Sequence, residues 1–457
     1  MKIKKNDTIN LNIEDVTLEG VGVGRHNGVA VFVPGVAVGD VLKVKIIKVK
    51  SSYLVGKTEE ILVPSDDRIA LDCGSANACG GCAFRHISYG AELKIKQKHV
   101  TDCLERIGGF KGIGIQPIVG AKNILNYRNK VQIPLSYDTN GEIISGFYAN
   151  HSHRIVPCRE CLLQPKIFDE IIDYIKKFIK GYEISVYNEN TKKGLVRHIY
   201  LRSAQNTSQI MLCLVINGEK LPYADEFVDA ITKKFKQIKS IFINVNKKDT
   251  NVILGDKFKK IFGDDYITDT LCDKKFVISP DSFYQVNHDQ TEILYGLAEK
   301  YLTPKASDNL LDLYCGIGTI GLTMAEKVGK LFGVEIVESA VKNARQNALL
   351  GGNDNAKFFC GDSGDITKKK VLGEQNLDIV IVDPPRKGCS DELINNLLKI
   401  SPQKILYISC NPATLAKNLK QICESGKYSV SVVAPVDMFP RTSHVETIAL
   451  LVAKNIQ

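Results

Sequence analysis

A cysteine inside a polar, turn-forming tetrapeptide, Ser409-Cys410-Asn411-Pro412, has the setting of a nucleophile rather than of core filling. Its companions point the same way. Asp312-Leu313-Tyr314-Cys315-Gly316-Ile317-Gly318 is a glycine-rich turn, Asp383-Pro384-Pro385-Arg386 lies between, and His444-Val445-Glu446-Thr447 follows. A thiol, a carboxylate and a nucleotide-type cofactor loop in one half of the chain suggest covalent catalysis of group transfer. Near the other end, Cys73, Cys79 and Cys82 are spaced like cluster or metal ligands.

The elements that must position these residues are βα units. From about residue 275, Asn309–Tyr314, Lys330–Glu335, Leu377–Val382 and Lys404–Ser409 read as buried strands, with helices over Thr319–Lys327 and Ser339–Leu350. Such alternation predicts a doubly wound, Rossmann-like parallel sheet that binds ligands beyond its C-terminal strand ends. Gly316 and Gly318 let the backbone turn tightly into a helix N-terminus. Glu335 ends the second strand, suited to two ribose hydroxyls, and Asp362 ends the third, within reach of an adenine amino group. The interval from Gly318 to Glu335 is shorter than the roughly 20 residues of a dinucleotide fingerprint, and Gly-x-Gly-x-x-Gly is absent. S-adenosylmethionine is favoured over NAD. Pro384-Pro385 fixes a rigid turn. Adenine-N6 methyltransferases carry an aromatic after a related acid-Pro-Pro motif; Arg386 stands there instead, which argues against amino-group methylation.

One cysteine and one carboxylate suit methylation of uracil C5. That carbon is a poor nucleophile until a thiolate adds at C6; afterwards a base must remove the C5 proton so that the thiolate can leave. Cys410 follows one strand and Glu446 begins another, Thr447–Val452, so both can converge on one sheet edge. The bland alternatives are a buried small hydrophobe for Cys410 and a surface carboxylate for Glu446. Cys315 reads as a lining residue of the cofactor loop and Cys389 as a flexible-loop thiol; Cys360 is a third cysteine to weigh.

The remaining chain reads as a multidomain α/β protein. Its 457 residues allow two to four domains, and a net charge of +9 is compatible with a nucleic-acid partner without requiring one. Met1–Asp7 has no apolar h-region, and no apolar run reaches about 18 residues, so a cytoplasmic chain without signal peptide or membrane span is expected. A reducing compartment makes the clustered members of the 13 cysteines ligands or catalysts. Residues 1–60 predict a small OB-like β-barrel with a basic face, because Val41–Val49 partly alternates apolar residues with lysine. Residues 61–270 predict an α+β central domain that carries the cysteine cluster and an RNA-binding surface, with a hairpin turn at Asp138-Thr139-Asn140-Gly141. Within it, Ala91–Ile107 is an amphipathic helix that can pack on the catalytic domain; Lys94, Lys96, Lys98 and Arg106 form its solvated or RNA-facing side. Residues 271–457 form the methyltransferase domain.

Taken together, the motifs resemble the RNA uracil-5-methyltransferases. Phe283-Tyr284-Gln285-Val286-Asn287, Asp312–Gly318, Asp383–Arg386, Ser409–Pro412 and His444–Thr447 stand in family order. Residues 1–60 resemble a TRAM domain, and Tyr127-Arg128-Asn129-Lys130 a motif of the family's central domain. The resemblance implies Cys410 as nucleophile, Glu446 as general base, and Gln285, Tyr314, Glu335 and Asp383 as contacts to S-adenosylmethionine. Nothing but the motif selects Gln285. Cys73-x5-Cys79-x2-Cys82 is similar to the family's iron–sulfur subgroup, whose last ligand precedes Leu-x-Gln; Cys161 fits, with Cys158 competing. Spacing alone leaves zinc and iron–sulfur open; the resemblance favours a [4Fe-4S] cluster. It also implies a uracil in a 23S ribosomal RNA loop as substrate, on the expectation that the transfer-RNA branch lacks both the cluster and the TRAM domain. Two rivals are weighed. A radical methylthiotransferase needs Cys-x3-Cys-x2-Cys, which is absent; a non-catalytic RNA-binding factor would keep its activity out of Cys410.

Overall fold

The computed structural model describes residues 3–454 apart from residue 77 and residues 366–375. Among these, three sheets and one hairpin organise the chain. The first sheet contains β1 (Thr8–Asn12), β2 (Asp15–Val16), β3 (Val21–His26), β4 (Val29–Pro34), β5 (Val41–Val49) and β6 (Tyr53–Val63), in the order β1-β5-β6-β4-β3-β2. Alternation decides its faces: Leu42, Val44 and Ile46 of β5 are buried, while Lys43 is exposed. The sheet curls, since a Cβ on Gly24 of β3 would come within 2.2 Å of the Asn12 carbonyl at the end of β1.

Helix α1 (Tyr89–Arg106) begins two residues before the expected start, because the Ser88 hydroxyl accepts from the Ala91 amide at 3.2 Å and caps it. Its apolar residues Val100, Cys103 and Leu104 share a core with Leu311 and Val382 of the third sheet and Leu415 of the helix Pro412–Glu424. Lys96 departs from the expected solvated face. It is wholly buried, donating to Glu92 and to Asp437, each at 2.7 Å, and to the Phe439 carbonyl at 3.2 Å. Tyr89 donates to the other Asp437 oxygen at 2.7 Å, and the Arg441 amide donates to Glu92 at 2.7 Å. This network binds α1 to the loop leading to Glu446. Removing the cation strands two buried carboxylates. Lys96→Met is therefore expected to cost about 3–5 kcal/mol of stability, measured by urea denaturation.

The second sheet has the order β13-β12-β11-β10-β7-β8-β9. Its strands are β7 (Lys130–Tyr137), β8 (Ile143–Tyr148), β9 (Ile155–Pro157), β10 (Val196–Ser203), β11 (Ile210–Ile216), β12 (Ile238–Val245) and β13 (Lys257–Gly263). The expected turn closes β7 onto β8, with Gly141 at φ 80° and its amide donating to the Asp138 carbonyl at 3.1 Å. Helices α2 (Lys166–Gly181) and α3 (Ala224–Lys234) bury Ile171, Ile175, Phe227 and Ile231 with this sheet's apolar residues. The hairpin β14 (Ile267–Leu271) and β15 (Lys274–Ile278) leads into the third sheet.

That third sheet has the order β18-β17-β16-β19-β20-β22-β21. Strands β16 (Asn309–Leu313), β17 (Lys330–Glu335), β18 (Ala356–Cys360), β19 (Ile379–Val382) and β20 (Lys404–Ser409) are parallel; β22 (Glu446–Ala453) runs antiparallel between β20 and β21 (Tyr428–Val436). The order reverses at β16, between β17 and β19, which is where open α/β sheets bind ligands.

Candidate active site

Strand register brings the site residues to one edge. Leu313 pairs with both Val334 and Val382, so Tyr314, Glu335 and Asp383 leave the sheet side by side. Glu335 pairs with Cys360, two residues before Asp362. Ser409 pairs with Thr447, which sets Cys410 beside Glu446. Gln285 arrives from outside this sheet: the Asn129 side-chain amide donates to its carbonyl at 3.0 Å, and the Asn129 backbone amide donates to Val286 at 2.8 Å. Tyr127 donates to Pro440 at 2.9 Å. The Tyr127–Lys130 segment thus fastens the central sheet to both loops of the site.

Gln285, Tyr314, Gly316, Glu335, Asp362, Asp383, Cys410 and Glu446 line one cavity of about 2430 Å³; Gly318 does not. Gly318 stands at the N-cap of the helix Thr319–Met324, with φ 84°. The turn before it is strained where a side chain must project: Tyr314 sits at φ 61°, a left-handed conformation that costs a non-glycine residue on the order of 1–3 kcal/mol. Glu335 is already oriented, one oxygen accepting from the Gly316 amide at 3.1 Å and the other from Val337 at 2.9 Å. Asp312 lies beneath the turn, one oxygen held by the Gly321 amide at 3.0 Å and the other buried without a partner. Ile336 and Phe283, 63% and 61% exposed, offer apolar surface inside the cavity. Ile336 lies outside the motifs, and Phe283 stands in one without a role assigned to it; their signal is a large apolar residue close to a polar site residue.

The electrostatics favour a cation. Burial pushes Asp312 up to about 8, helped by Asp383 and Glu335. It pushes Asp383 up to about 7. Glu446, 3% exposed, is driven well above the carboxylate range by burial and by Asp383. Carboxylates crowded in this way accept a positive charge readily. A sulfonium ligand, ribose hydroxyls for Glu335 and apolar contact at Ile336 make the donor set a fit for S-adenosylmethionine.

Cys410 is half-buried, and its thiol is pushed up to about 11 by burial first and then by Glu446; Arg386 opposes the shift by charge and by a hydrogen bond to the sulfur. The Arg386 guanidinium also reaches the His444 ring at 3.0 Å. Burial, and then Arg386, hold His444 down to about 4, so it stays neutral and accepts that bond. Because the thiolate is the reactive form, alkylation of Cys410 by iodoacetamide is expected to rise about tenfold per pH unit from about pH 7 to about pH 10. Arg386→Gln should move that profile to higher pH, as mass spectrometry of the modified peptide would report. Cys315 and Cys389 depart from expectation: both are core residues, 6% and 7% exposed, and neither lines the cavity. Cys360 is exposed.

The thiols of the N-terminal cluster face the same cavity. Cys73, Cys79, Cys82, Cys158 and Cys161 all line it. Their loop is pinned to β8 and β9 by the Gly80 amide on the Tyr148 carbonyl at 3.0 Å and by Ser75 on the Pro157 carbonyl at 3.1 Å. The Cys158 thiol donates to the Glu160 carbonyl at 3.3 Å, and the proximity of the two thiols lowers Cys161 to about 7 and raises Cys158. Among the described residues, no group of three or more His, Cys, Asp or Glu has the arrangement of a metal site. The expected metal centre, Cys73, Cys79, Cys82 and Cys161, is thus a gathering of soft donors without ligand geometry.

Comparison with known proteins decides the family. The sequence pattern of the tRNA (Uracil-5-)-methyltransferase family matches residues 219–454, and that of the TRAM domain matches residues 2–58. An uncharacterized RNA methyltransferase of Halalkalibacterium halodurans is 42% identical over 99% of this chain and 98% of its own. The chain belongs to the tRNA (uracil-5-)-methyltransferase family. Its activity is therefore S-adenosylmethionine-dependent methylation of RNA of the uracil-5 type, with a TRAM domain at the N-terminus. A second relative, an uncharacterized RNA methyltransferase of Clostridium tetani, is 41% identical over 98% of this chain and 97% of its own. Among solved structures, the Pyrococcus abyssi tRNA (uracil-54, C5)-methyltransferase in complex with S-adenosyl-L-homocysteine matches with a TM-score of 0.77 and 27% identity, over 97% of this chain and 100% of its own. A match that long must extend into the TRAM segment. A TRAM domain therefore does not separate ribosomal-RNA from transfer-RNA enzymes, which corrects that step of the sequence argument.

Proposed function

We propose that this enzyme methylates C5 of a specific uracil in a loop of 23S ribosomal RNA through a covalent bond to Cys410. The observation that carries the chemistry is the Ser409–Thr447 register, which sets a thiol and a buried carboxylate against one cavity beside the cofactor turn. S-adenosylmethionine, when bound, supplies an electrophilic methyl group. The Cys410 thiolate adds to C6 of a uracil splayed out of its loop, and C5 becomes nucleophilic as electron density moves toward O4. C5 takes the methyl group, leaving S-adenosylhomocysteine. Glu446 then accepts the C5 proton, the C5–C6 double bond re-forms and Cys410 departs as thiolate. Arg386 holds the thiolate before attack and after departure. Gln285, Tyr314, Gly316, Glu335, Asp362 and Asp383 hold the cofactor, Gly318 shapes the turn behind them, and the basic N-terminal sheet contacts phosphates.

The ribosomal assignment is supported by the cysteine spacing through which the chain resembles the family's iron–sulfur subgroup, with all of those thiols lining the cavity. We assign Cys73, Cys79, Cys82 and Cys161 to a [4Fe-4S] cluster that positions RNA; no step of the reaction passes through it. Anaerobic analysis should find iron and acid-labile sulfide, and stoichiometric zinc without sulfide would refute the assignment. Transfer RNA is the second substrate reading, favoured by the match to the Pyrococcus abyssi enzyme. Mass mapping of RNA from a strain lacking this protein separates them. A 5-methyluridine missing from 23S ribosomal RNA is expected; one missing only from transfer RNA would replace the assignment.

A further inference from the structure

A second cavity, of about 430 Å³, opens on the outer part of the central sheet between β7, β9 and residues 187–190. Its floor is built by an irregularity. The β10–β11 ladder shifts register between Val196 and His198, leaving Arg197 as the extra residue of a bulge. A bulge re-aims side chains, and here both Arg197 and His198 line the cavity, although neighbours on a regular strand point to opposite faces. Both residues are 6% exposed and carry unmet hydrogen-bonding groups. Neither ring nitrogen of His198 has a partner, nor does Nε of Arg197. The Arg197 guanidinium is held 4.5 Å from the Tyr187 ring centroid by bonds from Nη1 to the carbonyls of Asn246 and Lys248, at 2.8 and 2.9 Å. At the mouth, the rings of Tyr148 and His153 face each other at 5.2 Å with 35° between planes, and Glu189 accepts from the Tyr148 hydroxyl at 3.3 Å and bonds His153 at 3.1 Å.

Buried groups left without partners are uncommon in folded proteins and call for an explanation. The mixture here is an aromatic mouth, a fixed guanidinium–aromatic stack and unmet polar groups in the wall. It suits a planar heterocycle with donors and acceptors on its rim. The cavity also continues the path of the main one. In the turn between β8 and β9, Asn150 and His151 line the large cavity while Ser152, His153 and Arg154 line the small one. An RNA strand lying in the first cavity would cross this turn to reach the second.

We propose that this cavity receives an unpaired nucleobase of the RNA substrate, stacked at Tyr148 and His153, so that the enzyme grips a second nucleotide away from the one it methylates. The proposal rests on the RNA-methylation reading above. In the test, the full-length protein is irradiated with a short random-sequence single-stranded RNA containing 4-thiouridine, and cross-linked peptides are sequenced. Cross-links are expected at Tyr148, within 152–154 or within 187–190. Tyr148→Leu and His153→Ala should each weaken binding of the same RNA about tenfold by fluorescence anisotropy, as loss of one base stack does, while S-adenosylhomocysteine affinity holds. Wild-type RNA affinity in both variants overturns the proposal, with or without a cross-link. If a variant fails to fold, absence of both cross-links on the unaltered chain overturns it. A chain that binds RNA here yet methylates none sinks the methylation reading and leaves this site standing.

Discussion

Cys410→Ala is expected to lower methyl transfer by roughly four to six orders of magnitude, the scale seen when a covalent nucleophile is removed. That corresponds to about 5–8 kcal/mol of barrier. The loss is chemical rather than structural. Cys410 is half-buried in the cavity wall, and the local fold is held by neighbours: Asn411 caps the helix Pro412–Glu424 through the amides of Ala413 and Thr414, and its side-chain amide donates to the Arg386 carbonyl. Alanine removes one sulfur and leaves those bonds intact. Two measurements keep the cause visible. Calorimetric affinity for S-adenosylhomocysteine should be unchanged, and RNA containing 5-fluorouracil, which traps the wild type because fluorine cannot leave as a proton does, should form no denaturation-resistant complex. A trapped complex in the alanine variant would move the nucleophile elsewhere.

The strand ends that carry the site were legible because each apolar run stops at a polar residue, and a parallel sheet places those stops along one edge. Asn309–Leu313, Lys330–Glu335 and Lys404–Ser409 fall within a residue of expectation. The fourth strand begins later, at Ile379; the residue before it, Asp378, holds the Asn309 amide through its carboxylate at 2.9 Å. Lys96 was not legible. On a helical wheel it belongs to the polar side of α1, and only the return of Asp437, 341 residues later, turns that side into an interior. The same holds for the thiols: spacing marks Cys73, Cys79 and Cys82 as a group, but which downstream sulfur joins them depends on β9 and the turn after it.

The two distant contacts have a shared consequence. Lys96 anchors the stretch from Asp437 to Arg441 on one side, and Tyr127 holds Pro440 from the other. Glu446 and His444 follow directly. The segment that delivers the carboxylate is thereby fixed by α1 and the central sheet rather than by the catalytic sheet alone. The N-terminal half, read from sequence as an RNA-binding attachment, also shapes the site where the chemistry occurs.

Glu446→Gln should separate the two halves of the reaction. Glutamine keeps the volume of a side chain that is 3% exposed, so the cavity and the Cys410 sulfur are undisturbed. Addition, which needs the thiolate, proceeds. Proton removal from C5 loses its base, and turnover is expected to fall about 10²- to 10⁴-fold. The RNA should therefore accumulate as a methylated covalent complex, visible on denaturing gels with ordinary uracil and released slowly. The pH dependence carries its own sign. Burial and Asp383 raise the affinity of Glu446 for a proton, so the carboxylate form gains as pH rises, and wild-type release quickens with pH. With glutamine in place that quickening should vanish, because no proton is exchanged at this position. Rapid release together with normal turnover in the glutamine variant would assign the base to another group, and Asp383 is the carboxylate whose charge reaches both Glu446 and Cys410.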